Sequence, residues 1–375
     1  MENPKNLVRA SLRKTLLDES QKEKEEFKSK GTMFGASVKA NRSVLKSLMS
    51  MVKKRTLESE QGTLSLEKIA GYFRDECLGE AYGKDNRQEV DDWVSTVTFT
   101  KDNELVVFAH GNGIHGVPVD TFKNAMPIEL YEGDAPVLEI EFTVNNKFLV
   151  ARTGHDRLLV FDVSRTESGE LKLDLKREIE APETTCFAST NEHLYVGCKH
   201  VRVFSFEEEK YEELLDKQNE RVTALRCSSD AKYLVIGRED GTVQLINRET
   251  GKPVGEVDMG EEPVQQLAIS SENRHVLGLD KDGKILVWDV AEMTKMGDYT
   301  EPSASFPNHS GENVTKMALS TENRVLVTSS EQGTIKVWDF EEASELVSFK
   351  CDEAIGALSL SPDRSTLASG YGKNL

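Results

Sequence analysis

Residues 269–289 read ISSENRHVLGLDKDGKILVWD, and residues 319–339 read LSTENRVLVTSSEQGTIKVWD. Each opens on a polar turn, runs on as alternating apolar residues, turns again at a glycine, and ends in a second alternating run closed by Trp-Asp. Alternation with period two is the pattern of a half-buried strand. A D-G or Q-G pair between two such runs marks a hairpin turn, because glycine accepts the positive φ that tight turns demand. A third copy, CSSDAKYLVIGREDGTVQLIN, spans 227–247 and closes in Ile246-Asn247. Two more worn copies, VNNKFLVARTGHDRLLVFD and TNEHLYVGCKHVRVFS, close in Phe161-Asp162 and Phe204-Ser205.

The closing polar residues fall at 162, 205, 247, 289 and 339, with spacings of 43, 42, 42 and 50. A period near 42 built from short alternating runs predicts four-stranded propeller blades. Runs such as VQQLAIS and VTKMALS supply the innermost strand of each unit. The long last spacing contains MGDYTEPSASFPNHSGEN (296–313), read as an insertion of the kind a loop absorbs at little entropic cost. A first unit begins at Trp93, WVSTVTFTKDNELVVFAHGNGIHGVPVDTF, and its Val119-Asp120 pair lies 42 residues before Asp162.

On Trp288-Asp289, Trp338-Asp339 and the D-G-x-I/V-x-V pattern, the chain resembles the tryptophan–aspartate (WD) repeat β-propeller family over residues 93–375. The resemblance implies a mainly β fold with seven blades, the seventh incomplete in sequence, and Asp120, Phe161, Asp162, Trp288, Asp289, Trp338 and Asp339 as structural repeat positions. The family's Gly-His dipeptide is mostly absent. Gly133-Asp134 and Gly260-Glu261 stand where it falls, and His309 before Gly311 is an approximate match. In the family that histidine ties blade to blade through a network with the tryptophan. The last unit, IGALSLSPDRSTLASGYGKNL (355–375), has strand-like runs at 355–360 and 366–369 and then stops. A strand from around GTLSLEKI (62–69) completing the blade, a shortened sequence, and a six-bladed ring with an added hairpin are the alternatives for closure.

One motif points elsewhere. Gly111, Gly113 and Gly116 spell G-x-G-x-x-G after an apolar run, the pattern of a dinucleotide-binding turn. Such a turn opens a helix, which Pro118 would disrupt. The following VPVDTF alternates, and no βαβ series follows. A structural hairpin is the expected reading.

Of the 375 residues, 38% are hydrophobic and 30% charged, and no apolar run is long enough to span a membrane. The N-terminus carries no apolar signal core, and its early acids argue against an organelle presequence. Five widely spaced cysteines (77, 186, 198, 227, 351) without a C-x-x-C read as reduced thiols, and the sequons at Asn41, Asn308 and Asn313 as incidental. The net charge of −18 is unevenly placed: residues 1–61 hold 14 Lys/Arg against 8 Asp/Glu, and the rest 33 against 57. An acidic body has little affinity for phosphate backbones, so no specific nucleic-acid partner is expected.

The sequence divides into a basic, partly helical or disordered leader (1–61), a helical linker or closing segment (62–92) and the propeller (93–375). Within the leader, NRSVLKSLMSMVKKR (41–55) places Val44, Leu45, Leu48, Met49 and Val52 on one helical face. Arg42, Lys46, Lys53, Lys54 and Arg55 add positive charge. Arg42, Leu45, Lys46, Leu48, Met49, Val52, Lys53, Lys54 and Arg55 are therefore the candidate partner-binding residues. Docking in a partner groove, binding a calmodulin-like protein, meeting an anionic membrane surface or import signal, and packing on the protein's own acidic body all remain open. FSFEEEKYEELLDKQNE (204–220) reads as a solvated strand end and loop, or as a patch for a basic partner.

His110, His115, His193 and His200 lack a completing ligand cluster, and no nucleophile or Walker motif occurs. Catalytic, metal and cofactor residues are thus expected to be absent. The expected function is a non-catalytic scaffold for other proteins, cytoplasmic or nuclear. The alternatives are a membrane-peripheral adaptor using 41–55 and a propeller-based hydrolase with acids at the central channel.

Overall fold

The computed structural model describes residues 93–371, apart from 120–125, 209–210, 213–219, 297–300, 308, 310, 321–323, 352 and 363–365. The leader and linker segments, and with them 41–55, 62–69 and Asp120, lie outside the described residues.

Alternating runs become antiparallel sheets in chain order. Six sheets have four strands each, spanning 94–132, 137–180, 186–212, 222–258, 264–306 and 314–350, and a seventh, 355–371, has two among the described residues. In each sheet but the third, the first strand carries an irregularity between its first and third residues, as between Val264 and Gln266. Such a bulge increases local twist, which a blade requires.

Two polar devices recur because each blade must turn at the same places. The turn from first to second strand is held by a buried hydroxyl that accepts the backbone N–H five residues on, or three on in sheet three. The series runs Thr100, Thr143, Thr190, Ser228, Ser270, Ser320 and Ser361, with distances such as 3.1 Å for Leu105 N to Thr100 and 2.9 Å for Thr366 N to Ser361. The residue closing the third strand caps the next turn. Asp289 accepts from Ala291 N at 2.8 Å, Asp339 from Glu341 N and Glu342 N at 2.9 Å, and Asn247 from Thr250 N at 3.0 Å. Asp162 instead faces Lys176 at 3.6 Å.

Among the described residues the core has seven parts, one between each pair of neighbouring sheets. Leu149 and Phe161 pack with Ile114 between sheets one and two; Trp288 packs with Val243 and Met259 between four and five; Trp338 packs with Phe306 and Leu277 between five and six. Val94, Val97 and Phe108 meet Ala357 and Ala368, so the seventh sheet closes the ring against the first. Phe161 and Trp288 are fully buried and Trp338 is 2% exposed.

The segment 296–313 is more than an insertion. It carries Ala304–Phe306, the outer strand of sheet five, and the extra length lies ahead of it, after the helix Val290–Met296. A strand of three residues, set between Pro302 and Pro307, is too short to show alternation.

Candidate interaction face

Because each sheet alternates direction, the turns from second to third strand and the links from one sheet to the next share one face. Backbone bonds tie them together: Val137 N donates to Gly111 O at 2.9 Å, Val222 N to Cys198 O at 2.8 Å, and Glu331 N to Asn313 O at 3.1 Å. Gly283, at φ +80°, shows how closely they approach, since a Cβ there would lie 2.4 Å from Val314 N. The link face is therefore a backbone-braced surface carrying variable side chains.

His309 belongs to this face and is buried, 2% exposed. Its Nε2 lies 2.7 Å from Thr328 Oγ1, which also accepts from Trp338 Nε1 at 2.7 Å. Burial, reinforced by the charge of Lys336, lowers the His309 pKa to about 4, so the ring is neutral near pH 7. Its neighbour Glu312 is held down to about 2 by hydrogen bonds, first from Ser330. The approximate Gly-His match thus occupies the position its resemblance implies. Sheet five has no such network. Gly278 takes the place of Thr328, Met259 fills the space above it, and Trp288 Nε1 is buried without a hydrogen-bond partner.

Three further contacts between sheets lie at the channel mouth. Ser95 Oγ donates to Val137 O at 2.6 Å, Thr185 Oγ1 to Val222 O at 2.5 Å, and Thr315 Oγ1 to Ile355 O at 3.4 Å. Each hydroxyl, second residue of its innermost strand or its equivalent in sheet three, reaches the next sheet. At this position sheet two has Leu138, 40% exposed, and Trp93 just ahead of sheet one is 59% exposed. Sequence reading missed these bridges, and a Ser or Thr after the first valine does not mark them, because Thr223 bonds Gly237 O of its own sheet at 3.3 Å.

Every link between sheets carries an acid among the described residues: Asp134, Glu183, Glu220, Glu261, Glu312 and Glu353. Asp134 is committed to Arg157 at 2.7 Å and Glu312 to Lys350 at 3.2 Å. Exposed Lys199, Arg221 and Lys281 are interspersed with these acids, as lysines and arginines are with the acids of the opposite face. There Arg165 pairs with Asp102 and Glu104, and Arg274 with Glu272 at 3.0 Å.

Inside the ring, Glu139 and Glu141 occupy the innermost strand of sheet two. Glu139 pairs with Arg152 at 3.3 Å, and burial raises its pKa against the pull of Arg152, Lys316 and Arg226. Burial lifts Glu141 to about 7, opposed chiefly by Arg226. Charges from sheets two, four and six therefore act on one another within the ring. A partly open cleft between Val160, Lys176, Arg177, Phe204 and Phe206 has room for about one water, near 10 Å³. Burial pushes the Cys186 thiol up to about 12 and raises Cys227 as well, so neither is a ready nucleophile.

The G-x-G-x-x-G stretch is a hairpin. Gly111, φ 54°, lies in the turn, whereas Gly113 and Gly116 lie within the strand Gly113–Pro118 and not in the turn. A Cβ on Gly113 would fall 2.5 Å from His115 Cε1, which explains the glycine without a ligand. The His110 and His115 rings lie tilted by 31° with centroids 4.3 Å apart. Burial, then the charge of His110, lowers the His115 pKa.

Residues 300–339 match the family model described as WD domain, G-beta repeat, and residues 186–272 match that of the anaphase-promoting complex subunit 4 WD40 domain. The U3 small nucleolar RNA-associated protein 18 homolog of Arabidopsis thaliana is 21% identical over 221 residues, 57% of this chain and 39% of that protein. Target of rapamycin complex subunit wat1 of Schizosaccharomyces pombe is 22% identical over 158 residues, 41% of this chain and 49% of that protein. The chain thus spans less than half the length of either relative. A chain in the crystal structure of a mitotic checkpoint complex superposes with a TM-score of 0.63 at 16% identity, covering 77% of this chain and 91% of that one, a likeness of fold.

Proposed function

We propose that this WD-repeat β-propeller is a non-catalytic scaffold in a multiprotein assembly, in the cytoplasm or nucleus, holding partner proteins on its link face. The observation that carries the reading is that face itself: a braced ring of links whose acids and two large apolar side chains stand exposed. The names of the relatives, one a complex subunit and one a small-nucleolar-RNA-associated protein, support a place in assemblies. Fold alone does not choose a function, because propellers host many.

The basic segment 41–55 engages a second partner in this reading, through Leu45, Leu48, Met49 and Val52 with Arg42, Lys46, Lys53, Lys54 and Arg55 around them. An anionic membrane or a calmodulin-like protein would meet the same residues. Wild-type liposome binding lost on changing Lys53, Lys54 and Arg55 to Glu would favour the membrane, and no wild-type binding would remove it. A hydrolytic reading has carboxylates in Glu139 and Glu141, but Arg152 already holds the first.

Affinity purification of the full chain tests the proposal. Stoichiometric partner proteins are expected, and recovery of free monomer alone counts against it.

A further inference from the structure

We propose that His110, His115 and Glu132 of sheet one form a binding site for a divalent transition metal of the zinc type. The sequence shows the two histidines without a completing ligand, and the fold supplies one from the outer strand. Such a site is independent of the scaffold role.

The cluster is built over a glycine. Gly113 pairs with His110 on one side and with Glu132 on the other, so the three positions form a row across the second, third and outer strands. Directly paired residues of neighbouring strands carry their side chains on one face. His115, two residues along from Gly113, shares that face, and its ring reaches back over the glycine. A Cβ at Gly113 would lie 2.5 Å from His115 Cε1, 3.2 Å from its Nδ1 and 2.6 Å from Glu132 Oε2. An imidazole and a carboxylate thus flank one point that only glycine leaves open. The second imidazole adjoins the first, with the His110 and His115 ring centroids 4.3 Å apart.

Further observations point to a cation. His115 Nδ1 is buried without a hydrogen-bond partner, a loss that a metal bond would remove. Burial, then the charge of His110, holds the His115 pKa below its ordinary value, so the ring is neutral near pH 7, the form that ligates. No lysine or arginine acts on it. The other charge that does is Glu129, paired with His115 on the outer strand, where a carboxylate can support a metal-bound histidine. Glu132 is exposed and both histidines are half-buried, which leaves a path in, and Phe108 lies 5.8 Å from each ring as an apolar wall. Two imidazoles and one carboxylate are a ligand set of zinc sites that keep a fourth position for water. As the side chains stand, no three ligands converge among the described residues. Zinc holds nitrogen and oxygen at about 2.0–2.2 Å, so binding requires His110 and Glu132 to rotate inward over the glycine.

The test is Co²⁺ titration of the metal-free, untagged full chain, followed by visible d–d absorption, with Zn²⁺ displacing the cobalt. One equivalent is expected, without a thiolate-to-cobalt charge-transfer band. Loss of a supporting group weakens a metal site about 10–100-fold, so His110→Ala and His115→Ala should each weaken this one about a hundredfold or more, and Glu132→Gln about tenfold. His193→Ala and His200→Ala should leave it unchanged. His110→Ala and Glu132→Gln keep the test decisive should His115→Ala fail to fold. Zn²⁺ should also raise the thermal midpoint of the wild type and not that of His110→Ala. No binding by wild type, undiminished binding by His110→Ala, a charge-transfer band assigning the metal to cysteine, or an unchanged Glu132→Gln variant would each overturn the three-ligand site. Partner proteins recovered in the presence of chelator would leave the scaffold reading standing whatever the cobalt titration shows.

Discussion

At the scale of single residues, the two tryptophans of the repeat do the same packing with different polar outcomes. Trp338 donates to Thr328, and Trp288, beside Gly278, has no acceptor. An unpaired buried donor costs about 1–3 kcal/mol, so removing it offsets part of the loss of ring volume. Trp338→Phe should therefore destabilise the protein about 1–3 kcal/mol more than Trp288→Phe in urea unfolding, with equal effects contradicting the assignment. The sequence could not separate them, because Trp-Asp is identical in both copies and the difference lies ten residues upstream in each. Glu141 makes a second prediction at this scale. Its pKa is raised to about 7 in the folded protein, so the native state binds the proton more tightly than the unfolded chain. The stability this adds is full below the unfolded carboxylate range and is lost as pH rises through about 7. Glu141→Gln, which keeps the neutral shape, should raise the thermal midpoint above wild type near pH 8 and match it near pH 5. His309 titrates the other way: its depressed pKa, about 4, means that stability present above pH 6.5 is lost as pH falls towards 4.

At the scale of elements, the legible parts were those with a strong period. The strands of sheets four, five and six follow from alternation, and the hydroxyl turn is visible as the serine opening SSDAK, SSENR and STENR. The outer strand Ala304–Phe306 was illegible, since three residues beside two prolines have no period. The inward carboxylates of sheet two were illegible as well, because 65 acids in the chain give no reason to single out two. Turn glycines can be ranked only with the structure. Gly283 and Gly169 both have positive φ, 80° and 88°, but a Cβ on Gly283 would lie 2.4 Å from Val314 N whereas one on Gly169 meets nothing within 4 Å. Gly169→Ala should cost about 1–2 kcal/mol, the left-handed penalty alone. Gly283→Ala should cost clearly more, because the backbone of the next link must also move; similar chemical-denaturation midpoints would contradict this.

At the scale of the molecule, seven core clusters between seven sheets make the ring one body, and its closing contact joins Val94 to the seventh sheet. Gly356 lies where sheets one, three and six place a bridging hydroxyl, its Cβ position 3.3 Å from Val94 O. The rigidity of such a ring holds loops in fixed relation, which suits recognition. The fold was legible from the repeat alone, and the face that would do the binding was not. A link is recognisable in sequence only as the gap between strands, and its acids converge only when the ring closes. The central claim is that this face holds other proteins, and native mass is its most direct measure. The tagged full chain, isolated from cells under native conditions, should run as an assembly heavier than its 41.9 kDa monomer, with defined companion proteins at constant ratio. A species at the monomer mass with no companions would contradict the account.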